Sequence, residues 1–217
     1  MGGKMVETSV IKRATLVTEI LKRAQGHKRF IVAIAGAPAA GKSTLAEALC
    51  TEINALSASE TCAVVPMDGF HYDNAILDAR GDRARKGAPH TFDAAGFRVL
   101  LSRLKQESGD IAIPVFDRAQ DLARVAAALV TPQHQILLVE GNYLLLDQPV
   151  WRDLRQYFDL SLFLDVPFAT LEQRLIQRWL DHGVDMEAAR KRALSNDIPN
   201  AQVVTQQSCP ADFILQD

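Results

Sequence analysis

The sequence predicts an α/β fold in which a mostly parallel sheet carries helices on both faces. Short apolar runs rich in branched residues recur along the chain, and longer segments, several with helical periodicity, separate them. The runs are apolar without alternation, which is typical of strands that are covered on both sides. Such strands are found in parallel sheets whose two faces are both packed by helices.

The elements follow one another in a clear order. Apolar residues at helical spacing between Val10 and Ala24, with Gly26 beyond them, predict an N-terminal helix over about residues 7–25. A strand is expected over residues 29–36, and a helical pattern resumes over residues 43–56. Four later apolar runs predict further strands, at residues 61–67, 134–140, 160–166 and 211–215. The long charged segment of about residues 69–92 is the least regular and is expected to form a mobile substrate loop.

Composition limits the classes of protein to consider. Of the 217 residues, 48% are hydrophobic, and 24 Lys and Arg balance 26 Asp and Glu. We therefore expect one domain over residues 1–217 and neither a disordered chain nor a nucleic-acid partner. The three cysteines show neither zinc-type spacing nor a disulfide framework, so a cytoplasmic location is expected. No apolar stretch approaches the length of a membrane span, so no membrane role is expected.

The segment IAGAPAAGKST contains the spacing G-x-x-x-x-G-K-[ST] between a predicted strand and a predicted helix. That context aims backbone N–H groups and the positive end of a helix dipole at one anion. Lys42 would place its charge at the β- and γ-phosphates, and the Ser43 hydroxyl would ligate Mg²⁺. The sequence thus predicts a site for ATP or GTP, with these nucleotide-binding residues: Gly36, Ala37, Pro38, Ala39, Ala40, Gly41, Lys42, Ser43 and Thr44.

Three acids stand at the ends of predicted strands, where open parallel sheets bind ligands: Asp68, Glu140 and Asp165. Asp165 begins a helical segment and is interpreted mainly as a helix cap. Glu140 is followed by Gly141 and Asn142, which do not begin a helix, so a role with magnesium or an orienting role toward water is favoured.

Asp68 lies in MDGFHYDN, beside a cluster of aromatic and polar side chains that suggests a substrate pocket. The candidate substrate residues there are Phe70, His71 and Tyr72. A carboxylate at Asp68 could accept the proton of an attacking hydroxyl, so Asp68 and Lys42 are the candidate catalytic residues.

Taken together, GAPAAGKST, MDGFHYDN, IPVFDR, VEGNYLLL and LDVPFATLEQRLIQR resemble the phosphoribulokinase/uridine kinase family of P-loop kinases, which includes type I pantothenate kinases. The resemblance runs from about Arg29 nearly to the C-terminus and is strongest to the bacterial fructose transport system kinase, or fructokinase-like, branch. It implies the fold of the P-loop containing nucleoside triphosphate hydrolases. It also implies that Asp68 is the catalytic base, that Glu140 assists magnesium, and that Arg174 and Arg178 belong to a lid over ATP.

The helical segment from Phe168 supports the lid independently. Its apolar residues share one face, while Arg174 and Arg178 lie one turn apart on the other side and can reach one ligand together. Binding of phosphate and a solvated face that pairs Arg178 with Asp181 both stay open.

Some positions depart from the family pattern. Ala39 stands where these loops often have glycine. In PVFDRAQD, Phe116 and Asp121 replace a tyrosine and a histidine of uridine kinases, which weakens the case for a nucleobase.

Asp117 and Arg118 could bracket a polyhydroxylated substrate or form an exposed ion pair. The basic segment of residues 80–90 could favour an anionic acceptor, such as a sugar phosphate, or be a solvated face.

The sequence therefore predicts an ATP-dependent kinase that phosphorylates a hydroxyl of a small molecule, with a sugar such as fructose favoured. Uridine or pantothenate kinase activity is the first alternative, and a nucleotide-hydrolysing regulatory switch is the second. The absence of an N-K-x-D segment for reading guanine argues against the switch. A homodimer stays open.

Overall fold

A parallel sheet forms the centre of the molecule, a computed structural model that describes residues 8–57, 59–181 and 183–216. Its six strands lie in the order β1-β8-β7-β2-β6-β3, and every neighbouring pair is parallel. The strands β4 and β5 form a separate antiparallel hairpin. In chain order the strands are β1 (Ser9–Ile11), β2 (Phe30–Gly36), β3 (Cys62–Pro66), β4 (Ile111–Asp117), β5 (Leu122–Val130), β6 (Ile136–Gly141), β7 (Leu160–Asp165) and β8 (Phe213–Gln216).

Helices lie between many of these strands along the chain. They are α1 (Arg13–Ala24), α2 (Lys42–Ser57), α3 (Asn74–Arg80), α4 (Ala94–Gln106), α5 (Phe168–Asp181), α6 (Met186–Arg192) and α7 (Ile198–Gln207). A π-helical turn, Ala193–Asp197, joins α6 to α7. No helix among the described residues is both long and apolar enough to cross a bilayer.

The central strands are covered on both faces, as the sequence predicts. In β2, Ile31 and Ala33 point into a cluster that contains α4 and the hairpin, whereas Val32 and Ile34 point into a cluster that contains α1 and α2. All seven residues of β2 are buried. The α/β fold with a parallel sheet and helices on both faces is therefore confirmed.

The N-terminal segment differs from the predicted helix over about residues 7–25. Residue 7 lies outside the described residues, residues 9–11 form β1, and the helix begins only at Arg13. Residues 9–11 pair in parallel with β8, which comes from the other end of the sequence. A three-residue strand shows no readable period, so its apolar residues fit the helical spacing equally well.

The segment of residues 69–92 contains more structure than the sequence suggests. It begins in a 3₁₀ turn, Met67–Phe70, and continues through α3 and two further 3₁₀ turns. Leu77 and Thr91 are buried, and a bridge joins His71 to Phe92. Its two ends are therefore held together beside the carboxyl edge of β3.

Candidate active site

The loop between β2 and α2 has the geometry of an anion site. Gly41 has φ +92° and Ala39 has φ +63°, so both lie in the left-handed region where a side chain is strained. The helix α2 begins at Lys42, and its first N–H groups have no partner within the helix. Together with the helix dipole they can bind phosphate oxygens.

The sheet order places Glu140 and Asp68 beside this loop. In the register of the sheet, Glu140 of β6 stands opposite Ile34 of β2 on one side and Pro66 of β3 on the other. Asp68 follows two residues after Pro66, in the turn that leaves β3. The end of β6 therefore lies between the phosphate loop and Asp68.

Glu140 is buried and hydrogen-bonded to the phosphate loop. Its side chain accepts a hydrogen bond of 3.1 Å from the Ser43 hydroxyl, and the residue is 6% exposed. Burial raises the pKa of Glu140, the negative charge of Asp68 raises it further, and Lys42 opposes both effects. An adjacent hydroxyl and carboxylate are hard oxygen donors of the kind that Mg²⁺ prefers, so this pair fits magnesium.

Magnesium at this pair would take most of its other ligands from elsewhere. Among the described residues, no group of three or more His, Cys, Asp or Glu is arranged to hold a metal ion. Magnesium in nucleotide sites is commonly held by one or two protein oxygens together with phosphate oxygens and water. The donor set is therefore suited to a metal that arrives with a nucleotide.

Lys42 is the buried cation of the site. Its ammonium donates to the Ala37 carbonyl at 2.9 Å and the residue is 7% exposed. Burial lowers the pKa of Lys42, while the charges of Glu140 and Asp68 oppose that shift. The ammonium is thus held at the loop, close to two carboxylates.

Asp68 is paired with a residue of the hairpin. A Cβ on Gly69 would lie 2.5 Å from the Pro114 carbonyl oxygen, so glycine is required for the turn to pack this closely against β4. Across this contact, Arg118 donates to the Asp68 carboxylate at 2.9 Å. The sequence reasoning missed this pair because its members are 50 residues apart, and neither local spacing nor periodicity relates them.

The structure separates the three candidates that follow Asp68. Phe70 packs against Phe97, with ring centroids 5.0 Å apart, and Tyr72 lies under the Arg80 guanidinium at 4.5 Å. Only His71 is bonded to Asp68, through its Nδ1, which donates to the Asp68 carbonyl at 2.8 Å.

The His71 ring is part of an aromatic cluster. Its centroid is 4.0 Å from that of Phe92 and 4.7 Å from that of Phe116. Burial lowers the pKa of His71, and the negative charge of Asp68 opposes the shift. A neutral imidazole between two phenyl rings therefore lies beside the candidate base.

Asp117 and Arg118 point to different partners. The Asp117 carboxylate accepts from the backbone N–H groups of Ala119 and Gln120, at 3.1 and 3.0 Å, and so supports the hairpin turn. Arg118 is directed to Asp68 and is exposed. Of these two candidates, only Arg118 is brought to the predicted catalytic residue.

The cations of the basic segment are largely paired within the protein. Lys86 donates to the Asp121 carboxylate and to the Asn74 side chain, each at 2.7 Å. Arg83 lies 3.3 Å from Asp78 and 3.5 Å from Asp121.

The helix α5 reaches the phosphate loop. Leu171 and Leu175 are buried, and Arg174, on the exposed side, donates to the Ala39 carbonyl at 3.4 Å. The charge of Arg178 acts on Lys42 and contributes to lowering the pKa of Lys42. Both predicted lid arginines are therefore near the loop.

Asp165, the third strand-end acid, ends β7 and is exposed.

Comparisons with known proteins find similarity over most of the chain. The Phosphoribulokinase / Uridine kinase family profile matches residues 31–217. A protein of Schizosaccharomyces pombe named a "putative uridine kinase" is 36% identical over 205 residues, which are 91% of this chain and 86% of that protein. A Listeria monocytogenes pantothenate kinase is 30% identical over 164 residues, 74% of this chain but only 53% of that enzyme.

A solved structure is also similar over nearly the whole chain. It is a protein from a Silicibacter species described as a "putative fructose transport system kinase", with 46% sequence identity and a TM-score of 0.87. The similarity covers 94% of this chain and 98% of that one.

Proposed function

The chain belongs to the phosphoribulokinase/uridine kinase family, and on this premise we propose that it transfers the γ-phosphoryl group of ATP to a hydroxyl of an uncharged sugar such as fructose. As a member it is an ATP-dependent kinase of small molecules, and the family uses ATP with Mg²⁺. The observation that carries the proposal is the position of Asp68, paired with Arg118 beside the phosphate loop.

The donor half of the site has simple roles in this proposal. The N–H groups of the phosphate loop and Lys42 bind the phosphates of ATP, and Arg174 and Arg178 approach them from α5. Ser43 and Glu140 hold Mg²⁺, which neutralises phosphate charge when it is bound. Phosphoryl transfer depends mainly on such positioning and charge stabilisation.

In the acceptor half, Asp68 orients the attacking hydroxyl and accepts its proton. Its carboxylate is partly exposed and hydrogen-bonded to Arg118, so an incoming hydroxyl can share it. Arg118, which is more exposed than Asp68, can stay bonded to the carboxylate while another of its N–H groups donates to a second hydroxyl of the acceptor. Asp117 belongs to this half as the residue that holds the turn that carries Arg118.

An uncharged acceptor follows from the pairing of the nearby cations. Lys86 and Arg83 are bonded to Asp121, and Arg83 also lies 3.3 Å from Asp78. A site for a sugar phosphate or a carboxylate needs a cation that is available to that anion. Arg118 is likewise paired with Asp68, so the pairing of these three cations supports a neutral sugar over a sugar phosphate or pantothenate.

Uridine is the second candidate acceptor, because the half-buried rings of His71 and Phe116 lie 4.7 Å apart beside Asp68. Aromatic side chains can stack on a pyrimidine base. The similarity to the protein from Schizosaccharomyces pombe named a "putative uridine kinase" also supports this candidate.

A panel of acceptors tests the proposal. The protein is incubated with ATP, Mg²⁺ and, in turn, fructose, other neutral sugars, sugar phosphates, uridine and pantothenate, and both ADP and phosphorylated product are measured. We expect product with a neutral sugar. Product only with uridine would transfer the assignment to the second candidate, and product only with an anionic acceptor would refute the charge argument. ADP release without any phosphorylated product would refute the proposed transfer.

A further inference from the structure

The π-helical turn Ala193–Asp197 contacts α5 and the predicted substrate loop, although none of its residues belongs to a sequence motif. A π-helical turn inserts an extra residue into a helix, and such turns are frequent at functional sites. In this chain the turn lies between α6 and α7, next to α5 and to the segment of residues 83–91.

On one side, the turn holds the backbone of residues 83–91, the part of the predicted substrate loop that we call the acceptor segment. The side-chain amide of Asn196 donates to the Lys86 carbonyl at 2.8 Å, and Arg85 donates to the Ser195 carbonyl at 3.1 Å. Asn200 is 2% exposed and donates to the Asn196 side-chain oxygen at 3.4 Å, which orients the Asn196 NH₂ group toward Lys86.

On the other side, the turn holds the helix that carries the lid arginines. Asp197 is 8% exposed, and its carboxylate accepts from the Trp179 indole N–H at 2.7 Å. Arg192 lies over the Trp179 ring at 4.8 Å. A buried carboxylate requires such partners, so a displacement of Trp179 would also disturb Asp197.

We propose that Asn196 and Asp197 are positioning residues that couple the nucleotide helix α5 to the acceptor segment of residues 83–91. Adjacent residues of one turn bond to the two sides, so a movement of α5 toward ATP is transmitted through the turn to the backbone at Lys86. Coupling of this kind requires a contiguous element that both sites contact, and this turn supplies it. The inference rests on the proposed role of α5 and on the prediction that residues 69–92 form a substrate loop.

Hydrogen exchange with nucleotide alone tests the coupling without a known acceptor. The probe is Mg²⁺ with a non-hydrolysable ATP analogue. In the unmodified chain we expect slower exchange at the start of α2 and in α5. Residues 83–91 should also slow, by about fivefold or more, the lower end of usual coupling between sites.

Two variants each remove one of the two hydrogen bonds through which the π-helical turn joins α5 to residues 83–91. Asn196→Ala removes the donor to Lys86, and Trp179→Phe removes the donor to Asp197 but keeps an aromatic ring. In both variants the analogue should still protect α2 and α5, whereas protection of residues 83–91 should fall several-fold. The matched control is Ser195→Ala, since the Ser195 hydroxyl donates to the Arg192 carbonyl of its own helix at 3.2 Å and makes no hydrogen bond to residues 83–91 or to α5 among the residues that the structure describes. It should retain all of the protection.

Exchange in β2 and β6 reports folding in every variant. Protection of residues 83–91 that is equal in Asn196→Ala, Trp179→Phe and the unmodified chain would overturn the coupling while leaving the proposed function intact. Absence of protection at α2 and α5 in the unmodified chain would instead refute the nucleotide roles, and the coupling with them.

Discussion

At the scale of single residues, the structure distinguishes two acids that look alike in sequence. Asp68 and Glu140 both stand near the end of a buried strand, but Glu140 is buried against the Ser43 hydroxyl, whereas Asp68 is partly exposed and pairs with Arg118. A buried acid beside the phosphate loop suits a metal, and an accessible acid suits a reacting hydroxyl. Removing the charge of Asp68 should therefore affect the reaction rate, whereas removing the charge of Glu140 should affect the Mg²⁺ requirement.

For Asp68→Asn, we expect nearly unchanged ATP affinity and a phosphorylation rate that is lower by ~10²–10⁴-fold, the usual loss when a general base is removed. The substitution keeps the shape of the side chain but removes its basicity. Binding of an ATP analogue and single-turnover rates measure the two effects separately. A rate within a few-fold of the unmodified chain would contradict the assignment of Asp68 as the base.

For Glu140→Gln, we expect a higher Mg²⁺ requirement, and added metal should recover part of the lost activity. The amide keeps an oxygen near Ser43 but lacks the charge that favours a divalent cation. Turnover measured against Mg²⁺ concentration for both acid variants gives the comparison. Metal rescue of Asp68→Asn but not of Glu140→Gln would mean that the two roles are assigned the wrong way round.

His71 should make the stability depend on pH. Burial lowers its pKa, so as pH falls below about 6.5, the ordinary value, the unfolded chain binds a proton that the folded chain does not. The free energy of unfolding should therefore decrease between pH 7.5 and 5.5. Asn at this position keeps a donor for the Asp68 carbonyl, so His71→Asn should reduce this dependence. Denaturant unfolding at several pH values gives the two slopes, and equal slopes would contradict the prediction.

At the scale of elements, the phosphate loop depends on the unusual backbone of Ala39. Its φ of +63° is unfavourable for a residue with a Cβ by about 1–2 kcal/mol, and its carbonyl accepts from Arg174 of α5. The departure from the glycine expected at this position therefore introduces strain without preventing the loop conformation. A branched side chain should be tolerated much less well.

The prediction for this loop compares two substitutions. Ala39→Val should lower the free energy of unfolding by more than about 1 kcal/mol, because a β-branched residue at positive φ is a true outlier. Ala39→Gly should stay within about 1 kcal/mol, since relief of strain offsets the greater freedom of the unfolded chain. Denaturant unfolding measures both. Equal losses for valine and glycine would show that the loop does not need this backbone conformation.

The elements also show how far the sequence alone can lead. The strands β2, β3, β6, β7 and β8 were predictable because all five lie in apolar runs, of which β2, β6 and β7 are mostly buried and β3 and β8 are largely half-buried. The hairpin strand β5 was not, because most of its residues are exposed and Val125 is 88% exposed. Its apolar residues carry no signal of burial. The strand β1 is defined by a partner about 200 positions away, which no local pattern reveals.

The candidate site divides in the same way. The phosphate loop was predictable because its chemistry lies in contiguous residues, and Asp68 and Glu140 because strand ends in a parallel sheet meet at one edge. The Arg118 partner of Asp68 and the contacts of Asn196 depend on how the hairpin and the π-helical turn pack. Packing of this kind joins distant segments, and the sequence contains no period or spacing that reports it.

At the scale of the whole molecule, the strand order assembles the site. Because β6 lies between β2 and β3, the loop after β2, Glu140 of β6 and the turn after β3 are neighbours at one edge of the sheet. The helix α2 starts at this edge and then packs against the same sheet in a core cluster. Nucleotide bound at the edge should therefore stabilise the fold as a whole.

We expect ATP with Mg²⁺ to raise the melting temperature of the protein and Lys42→Ala to abolish most of that rise. A ligand at 100 times its Kd adds about 2.7 kcal/mol to the free energy of unfolding. For a chain of this size that corresponds to about 5–11 °C. Lys42 is a buried cation of the phosphate loop, so its removal should weaken binding of the phosphates severely.

Because Lys42 also neutralises Glu140, its substitution changes the stability of the protein without ligand, and the quantity to compare is the shift caused by ATP. The matched control is Lys28→Ala, an exposed lysine near the start of β2, at the opposite end of that strand from the loop. It should retain the full shift. An ATP-induced shift in Lys42→Ala equal to that of Lys28→Ala would contradict the assignment of this loop as the phosphate site.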